Sequence, residues 1–367
     1  MRRLLFLALL ACGLHAPTSG AAPRAGTFAW NYKNRPVVAP LQGYEYVAVS
    51  PRGILAPGVA DSLRAFGTSA LVWMQPALAA TKGVPVSGAD YPFDSAALEL
   101  AQRRHALLRN TKDKPVELFP GKTYGALVLD YRDSAFVDEY AALIATTFRG
   151  KAAGFLLDYG CGDLSWAHLG ADASVWPSWR SGFIRLCGRL RALGMLVIVQ
   201  CDQYPDDLVP VSDGAFFEQA GMSLNPLQKV WDNVTAHPDR RMFVRVEELD
   251  ARKRRAFATL SLMTGARFNW SDLRGDYGGG SKDNHRDFEH FEMNMGGATG
   301  SIDTLAAGVY KASFAHGIAV LNVSTKPYDY DLTDMVRIRI KPNDGLVAEA
   351  RSWEIITNEG RTIRPSN

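Results

Sequence analysis

Short apolar runs recur along the chain at 46–50, 70–75, 125–130, 154–158, 195–200, 214–218, 242–246 and 266–270. Several are apolar on both alternating sets of positions, as in Leu196-Val197-Ile198-Val199. That pattern predicts strands of a parallel sheet, which is covered on both faces and needs no polar alternation. Between them lie stretches with helical character at 57–66, 95–110, 134–149, 176–193 and 251–264. In the second of these, Leu98, Ala101, His105 and Leu108 fall at roughly helical spacing. A further run, 28–32, reads as a lead-in strand. Strands alternating with helices imply βαβ crossovers. Eight such strands over about 225 residues fit a (β/α)8 TIM barrel, whose usual size is about 250. The competing α/β architecture, an open doubly wound sheet, lacks support because no strand leads into a GxGxxG phosphate loop. Gly278-Gly279-Gly280 follows Asp276-Tyr277 and reads as a loop.

Beyond the eighth strand the pattern changes. Residues 272–300 are polar and glycine-rich, as expected for a long loop over the barrel mouth. They carry Asp283, His285, Asp287, Glu289, His290 and Glu292, in a spacing that matches no known ligand motif. Short β-like runs then appear at 309–314, 318–322, 336–340 and 353–356, divided by Gly317, Pro327 and Asn343-Asp344-Gly345. These predict a small C-terminal antiparallel β appendage. The expected division is a leader over 1–25, a barrel with its mouth loop over 26–300, and the appendage over 301–367.

The leader changes the picture of where the protein works. Arg2-Arg3, the apolar run from Leu4 to Cys12 and the small residues through Ala22 form a secretory signal. The run is too short to span a bilayer. Leu9-Leu10-Ala11-Cys12 approximates a bacterial lipobox, so a lipid anchor on Cys12 is the alternative to soluble export into the periplasm or medium. After cleavage Cys161, Cys187 and Cys201 remain, too few for a disulfide scaffold and without zinc-binding spacing. Cys161 and Cys201 follow adjacent parallel strands and are expected to pair, leaving Cys187 as a buried thiol inside a helix. A net charge of +3 with 22% charged residues gives no basic arm for nucleic acid. Arg252-Lys253-Arg254-Arg255, the densest basic run, reads as a solvated helix face. No cofactor or metal is expected, and the protein is expected to act as a monomer.

Acids lie at or just past several strand ends: Asp130, Asp158, Asp202, Glu218 and Glu247. In a barrel these ends converge on one mouth. Carboxyl groups gathered in a partly dry site separate into an acid and a base, the requirement of glycoside hydrolysis. Trp73, Tyr131, Tyr159 and Trp270 lie near these ends, and flat aromatic faces suit sugar rings. Asp158 and Glu218 are the candidate catalytic residues. Asp130, Tyr131, Tyr159, Asp202, Glu247, Trp73 and Trp270 are the candidate substrate contacts. No G-x-S-x-G elbow follows a strand, which argues against a Ser-His-Asp esterase.

The stretch Gly154-Phe155-Leu156-Leu157-Asp158-Tyr159 resembles the "GvflD" strand of secreted barrel glycosidases related to the endo-α-1,4-polygalactosaminidases. Gly214-Ala215-Phe216-Phe217-Glu218 resembles their later strand ending on Glu. The tail, from Glu292 and Met295-Gly296-Gly297-Ala298-Thr299-Gly300 to Gly317-Ile318-Ala319-Val320-Leu321-Asn322, is similar in pattern to their ending. Gly297 stands where such proteins have Pro, and Lys311 where they have Arg. The resemblance implies a glycosidase acting on a polysaccharide or oligosaccharide, with Asp158 and Glu218 as its pair. Two other readings compete: a carbohydrate-binding barrel without turnover, and a metal-dependent hydrolase using Asp158, Asp202 and His285 or His290.

Overall fold

The computed structural model describes residues 28–31, 38, 41–42, 44–80, 92–118, 126–158, 164, 169–219, 227–246, 251–270, 295–333, 336–351, 354–357 and 362–363. The chain opens with β1 (Phe28–Asn31) and β2 (Tyr46–Val49). Two short helices follow, α1 (Pro51–Leu55) and α2 (Val59–Ala65), where the sequence suggested one. Between them Gly58 takes φ +78°, a left-handed turn that no continuous helix contains. β3 (Ser69–Met74) is followed by β4 (Leu78–Ala80), α3 (Pro92–Arg103), β5 (Glu117–Leu118) and β6 (Ala126–Val128). Then come α4 (Ser134–Phe148), β7 (Gly154–Leu157), α5 (Val175–Ala192), β8 (Leu196–Gln200) and β9 (Gly214–Gln219). α6 (Leu227–Ala236), β10 (Arg241–Val246), α7 (Ala251–Thr264) and β11 (Arg267–Trp270) complete this part.

Eight of these strands form one parallel sheet in the order β1-β2-β3-β7-β8-β9-β10-β11. The sheet curls until its edges meet, where Asn269 on β11 donates from Nδ2 to the Phe28 carbonyl on β1 at 2.9 Å. This is an α/β barrel of the TIM type. Its membership differs from the expectation at one strand. The run 125–130 is not a barrel strand: β6 pairs antiparallel with β4 and β5 in a separate three-stranded sheet. β3 instead pairs directly with β7, Leu71 opposite Gly154. The lead-in strand β1 makes up the eighth. The physical reason is local: β4 and β5 offer close antiparallel partners, whereas joining the barrel would require β6 to part β3 from β7. The helix predicted over 95–110 also stops early. Arg103 ends α3, His105 takes φ 53°, and Leu107 then bridges to Leu129 in an extended segment.

Inside the barrel, alternate residues pack as Phe28, Tyr46, Ala48, Leu71, Leu156, Ile198, Phe216 and Phe243. The opposite phase, including Val47, Val72, Phe155, Val197, Phe217 and Val244, faces the helices in the main core. At the N-terminal end of the strands the Arg267 guanidinium lies over the rings of Tyr46 and Phe243, 4.9 and 5.5 Å from their centroids, and pairs with Glu45 at 3.0 Å. The barrel bottom is therefore a plugged apolar core, with its chemistry left to the other end. Strand approach is close: a Cβ on Gly154 would lie 2.1 Å from the Leu196 carbonyl oxygen.

The appendage comprises β12 (Asp303–Ala306), β13 (Val309–Phe314), β14 (Gly317–Asn322), β15 (Tyr328–Thr333), β16 (Val336–Ile340), β17 (Asp344–Arg351), β18 (Glu354–Thr357) and β19 (Thr362–Ile363). It forms a six-stranded antiparallel sheet with a β15–β16 hairpin beside it. The polar alternation of Tyr328-Asp329-Tyr330-Asp331 hides β15 from a search for apolar runs. The sheet docks on α7, where Gly345 leaves room for Thr259 and Arg255 pairs with the buried Asp344 at 2.9 Å. Trp231 of α6 stacks on Tyr310 of β13 at 4.2 Å. No helix among the described residues is long and apolar enough to cross a membrane.

On the outer layer, Asp138 of α4 accepts from Arg185 at 2.7 and 2.8 Å and from Arg189 at 2.8 and 2.9 Å, both on α5. These two guanidiniums, Arg185 first, hold its carboxyl well below the usual carboxylate range. The stabilisation is complete above the ordinary value of about 4. It drains away as pH falls towards the lowered one. Because the groups are partly solvated, Asp138→Asn is expected to cost no more than about 1 kcal/mol at neutral pH. The gap between variant and parent should close as unfolding is followed into acid. By contrast, Gly154→Ala forces β7 away from β8 and should cost about 2 kcal/mol in urea unfolding at any pH.

Candidate functional site

The inward phase that is apolar at the barrel bottom turns polar at the C-terminal ends of the strands. Continuing it from Leu71, Leu156, Ile198, Phe216, Phe243 and Arg267 gives Trp73 and Gln75, Asp158, Gln200, Glu218, Arg245 and Asn269 in turn. Glu218, Arg245 and Asn269 are register partners across β9, β10 and β11 and so lie level with one another. The Asp158 amide continues the β3–β7 ladder by donating to the Met74 carbonyl at 2.9 Å. Its carboxylate Oδ2 accepts from Gln75 Nε2 at 3.0 Å, and the residue is 7% exposed.

Both oxygens of Glu218 are engaged. Its Oε1 accepts from Arg245 Nη1 at 2.6 Å and its Oε2 from Gln200 Nε2 at 2.8 Å. Gln200 Oε1 accepts in turn from the Trp73 indole Nε1 at 3.5 Å, a long contact. The Arg245 side chain is 2% exposed and that of Glu218 16%, so the pair is walled off from water on the arginine side and open on the other. Asp158 and Glu218 are thus brought to one mouth, flanking β8 on either side, with Gln200 between them.

The other candidates divide. Trp73 is half-buried in the same layer. Asp202 lies past the end of β8 and is exposed. Asp130 follows the small sheet rather than a barrel strand, and both its oxygens are taken by Arg132, at 2.6 Å in the shortest contact. Tyr131 is 1% exposed and its hydroxyl donates to the Pro76 carbonyl, so it offers no face to a substrate. Burial raises its phenol well above the usual value, with Tyr140 and Cys187 adding to the effect. Tyr140 donates to the same Pro76 carbonyl at 3.1 Å. The two tyrosines thereby clamp the turn that follows Gln75. Tyr159, Glu247 and the Trp270 side chain lie outside what the structure describes, as do His285 and His290 of the metal-dependent reading. Among the described residues no group of three His, Cys, Asp or Glu could hold a metal ion. Cys201, next to Gln200, is disulfide-bonded, while Cys187 is a buried free thiol raised in pKa by that burial. Cys161, the expected partner of Cys201, lies outside the described residues.

Residue type alone missed Gln75, Gln200, Arg245 and Asn269. Gln75, Gln200 and Arg245 stand an even number of positions beyond inward apolar residues of β3, β8 and β10, and Asn269 stands two beyond the inward Arg267, so they can be found once the inward phase of each strand is known.

No family model and no curated protein sequence matches the chain. Among solved structures, it is similar to the noncanonic maltogenic α-amylase AmyB from Thermotoga neapolitana, at 10% identity over 88% of this chain and 96% of that one, TM-score 0.50. It is likewise similar to an α-amylase from Lactobacillus plantarum, at 8% identity over 93% of this chain and 98% of that one, TM-score 0.50. The glycoside hydrolase domain of PelA from Pseudomonas aeruginosa matches at 13% identity over 68% of this chain and 95% of that one, TM-score 0.47. At these identities the likeness is one of fold. The chain has a barrel fold shared with glycoside hydrolases.

Proposed function

We propose that the protein is an exported glycoside hydrolase that cleaves a polysaccharide, α-linked or containing amino sugars, with Asp158 and Glu218 as its two carboxyl groups. The observation that carries this reading is the pairing of two acids in the polar inner layer of a barrel whose lower half is sealed by aromatic and aliphatic side chains. A binding module needs no such pair, since aromatic faces and neutral amides suffice to hold a sugar. The fold shared with glycoside hydrolases agrees with the reading, and the leader sequence supports export.

In this mechanism Asp158 acts as nucleophile or base and Glu218 protonates the departing glycosidic oxygen. With Arg245 and Gln200 donating to its two oxygens, Glu218 is arranged as an acceptor. That corresponds to the half of the cycle after the proton has left. Oε2 has a second lone pair besides the one Gln200 occupies, so a proton can be taken up there while the amide still holds the group. Trp73, half-buried and bonded to Gln200, places an aromatic surface beside the Gln200–Glu218 hydrogen bond.

The reading is tested on a panel of purified polysaccharides, assayed for new reducing ends. Asp158→Asn keeps the shape of the side chain and its contact with Gln75, so it should fold normally and lose about 10³-fold in turnover, the scale of proton-transfer catalysis. Glu218→Gln should lose as much activity and also stability, because it removes a carboxylate that pairs with the buried Arg245, at a cost of about 3 kcal/mol. Its turnover is therefore measured below its melting temperature, with near-UV circular dichroism to confirm folding. Turnover close to the parent's in folded Asp158→Asn refutes the assignment. Tight sugar binding with no hydrolysis by the parent identifies a binding protein instead.

A further inference from the structure

We infer that Gln200, held by the Trp73 indole, is a positioning residue that fixes the orientation of the Glu218 carboxyl group. The inference rests on the reading of Glu218 as a reacting group, but its geometry stands apart from it. A primary amide has a donor end and an acceptor end, and nothing in its shape decides which faces which neighbour. Here the choice is made by the chemistry of the neighbours. The indole of Trp73 can only donate, so it takes Gln200 Oε1, which turns Nε2 towards Glu218 Oε2. Arg245, also donor-only, holds Oε1 of the same carboxyl group from β10. Three side chains on three strands thus leave Glu218 one orientation, with a hydrogen bond on each oxygen. The Trp73 contact, at 3.5 Å, is the weakest member. Its loss should loosen the arrangement rather than abolish it. The same geometry gives Trp73 a second task besides presenting a flat face, and the two tasks separate experimentally because phenylalanine keeps the face and lacks the N–H.

A test that needs no substrate uses the full-length protein labelled with ¹⁵N-tryptophan. Trp73→Phe identifies the Trp73 indole cross-peak by its disappearance. Glu218→Asp keeps the counter-charge for Arg245 while withdrawing the carboxylate from Gln200. It should therefore move the Trp73 signal, although residues 73 and 218 share no direct hydrogen bond. In a Gln200→Ala background the same change at 218 should leave that signal where it was. A Trp73 signal indifferent to Glu218→Asp, or one that moves equally without Gln200, overturns the inference. The kinetic counterpart uses any polysaccharide that the parent cleaves. Gln200→Met keeps about the length of the side chain without the amide donor or a new charge, and should lower kcat about tenfold or more with KM within about twofold. Trp73→Phe should lower kcat a few-fold. Parental kcat in folded Gln200→Met counts against the positioning role. Parental turnover in Asp158→Asn or Glu218→Gln overturns only the assignment of the catalytic pair, since the indole coupling is read without turnover.

Discussion

A guanidinium enclosed in the mouth of a barrel is the constraint on which the rest of the site depends. Arg245 is 1% exposed, on a strand flanked on both sides by others, and removing its charge from water costs several kcal/mol unless an anion and hydrogen bonds replace the water. Glu218, its register partner on β9, supplies that anion at 2.6 Å. The glutamate is therefore committed to the fold before any ligand arrives. Its second oxygen, held by an uncharged amide and nearer the open side, is the part the fold can spare. On the proposed reading, this asymmetry lets the same residue serve stability and chemistry, so that removing its charge disturbs both.

Much of this was legible in the chain. Continuous apolar runs gave the strands, and acids at their ends pointed to the mouth, because a barrel gathers the carboxyl ends of its strands on one face. What the runs concealed was phase. In Met242-Phe243-Val244-Arg245-Val246 both faces are covered, so no alternation marks which residues point inward. Only the partition into two packed clusters shows that Phe243 looks into the barrel and Val244 towards the helices. Arg245 then follows as an inward residue two places on. The long apolar side chains that conceal the phase are also what makes burial of the arginine obligatory.

The small antiparallel sheet was harder to foresee, because β6 reads like a barrel strand and ends near an acid. Its role emerges from what surrounds it. Tyr131, just past that sheet, and Tyr140 of α4 both donate to the Pro76 carbonyl, and Trp179 of α5 donates to the Leu129 carbonyl at 2.8 Å. These bonds satisfy the Pro76 and Leu129 carbonyls, as burial requires. They also fix the turn after Gln75, whose amide holds Asp158. An inserted sheet thus acts at one remove on the carboxylate, through a backbone carbonyl and a glutamine.

Asp130 and Asp158 show how little residue type decides by itself. Both stand just past an apolar strand, and both are more than nine-tenths buried. The strand before Asp130 pairs antiparallel with two short neighbours, which carries the acid away from the inner layer and beside Arg132, whose guanidinium takes both its oxygens. The strand before Asp158 is a barrel member between β3 and β8, so its phase delivers the carboxylate to the mouth, where a neutral amide meets it. An arginine takes both oxygens of the first acid, whereas an amide at 3.0 Å helps to orient the second. The chemical difference between two identical side chains follows from which strands their backbones pair with. Strand pairing is therefore the level at which a sequence reading of such a barrel has to be right before its acids can be ranked.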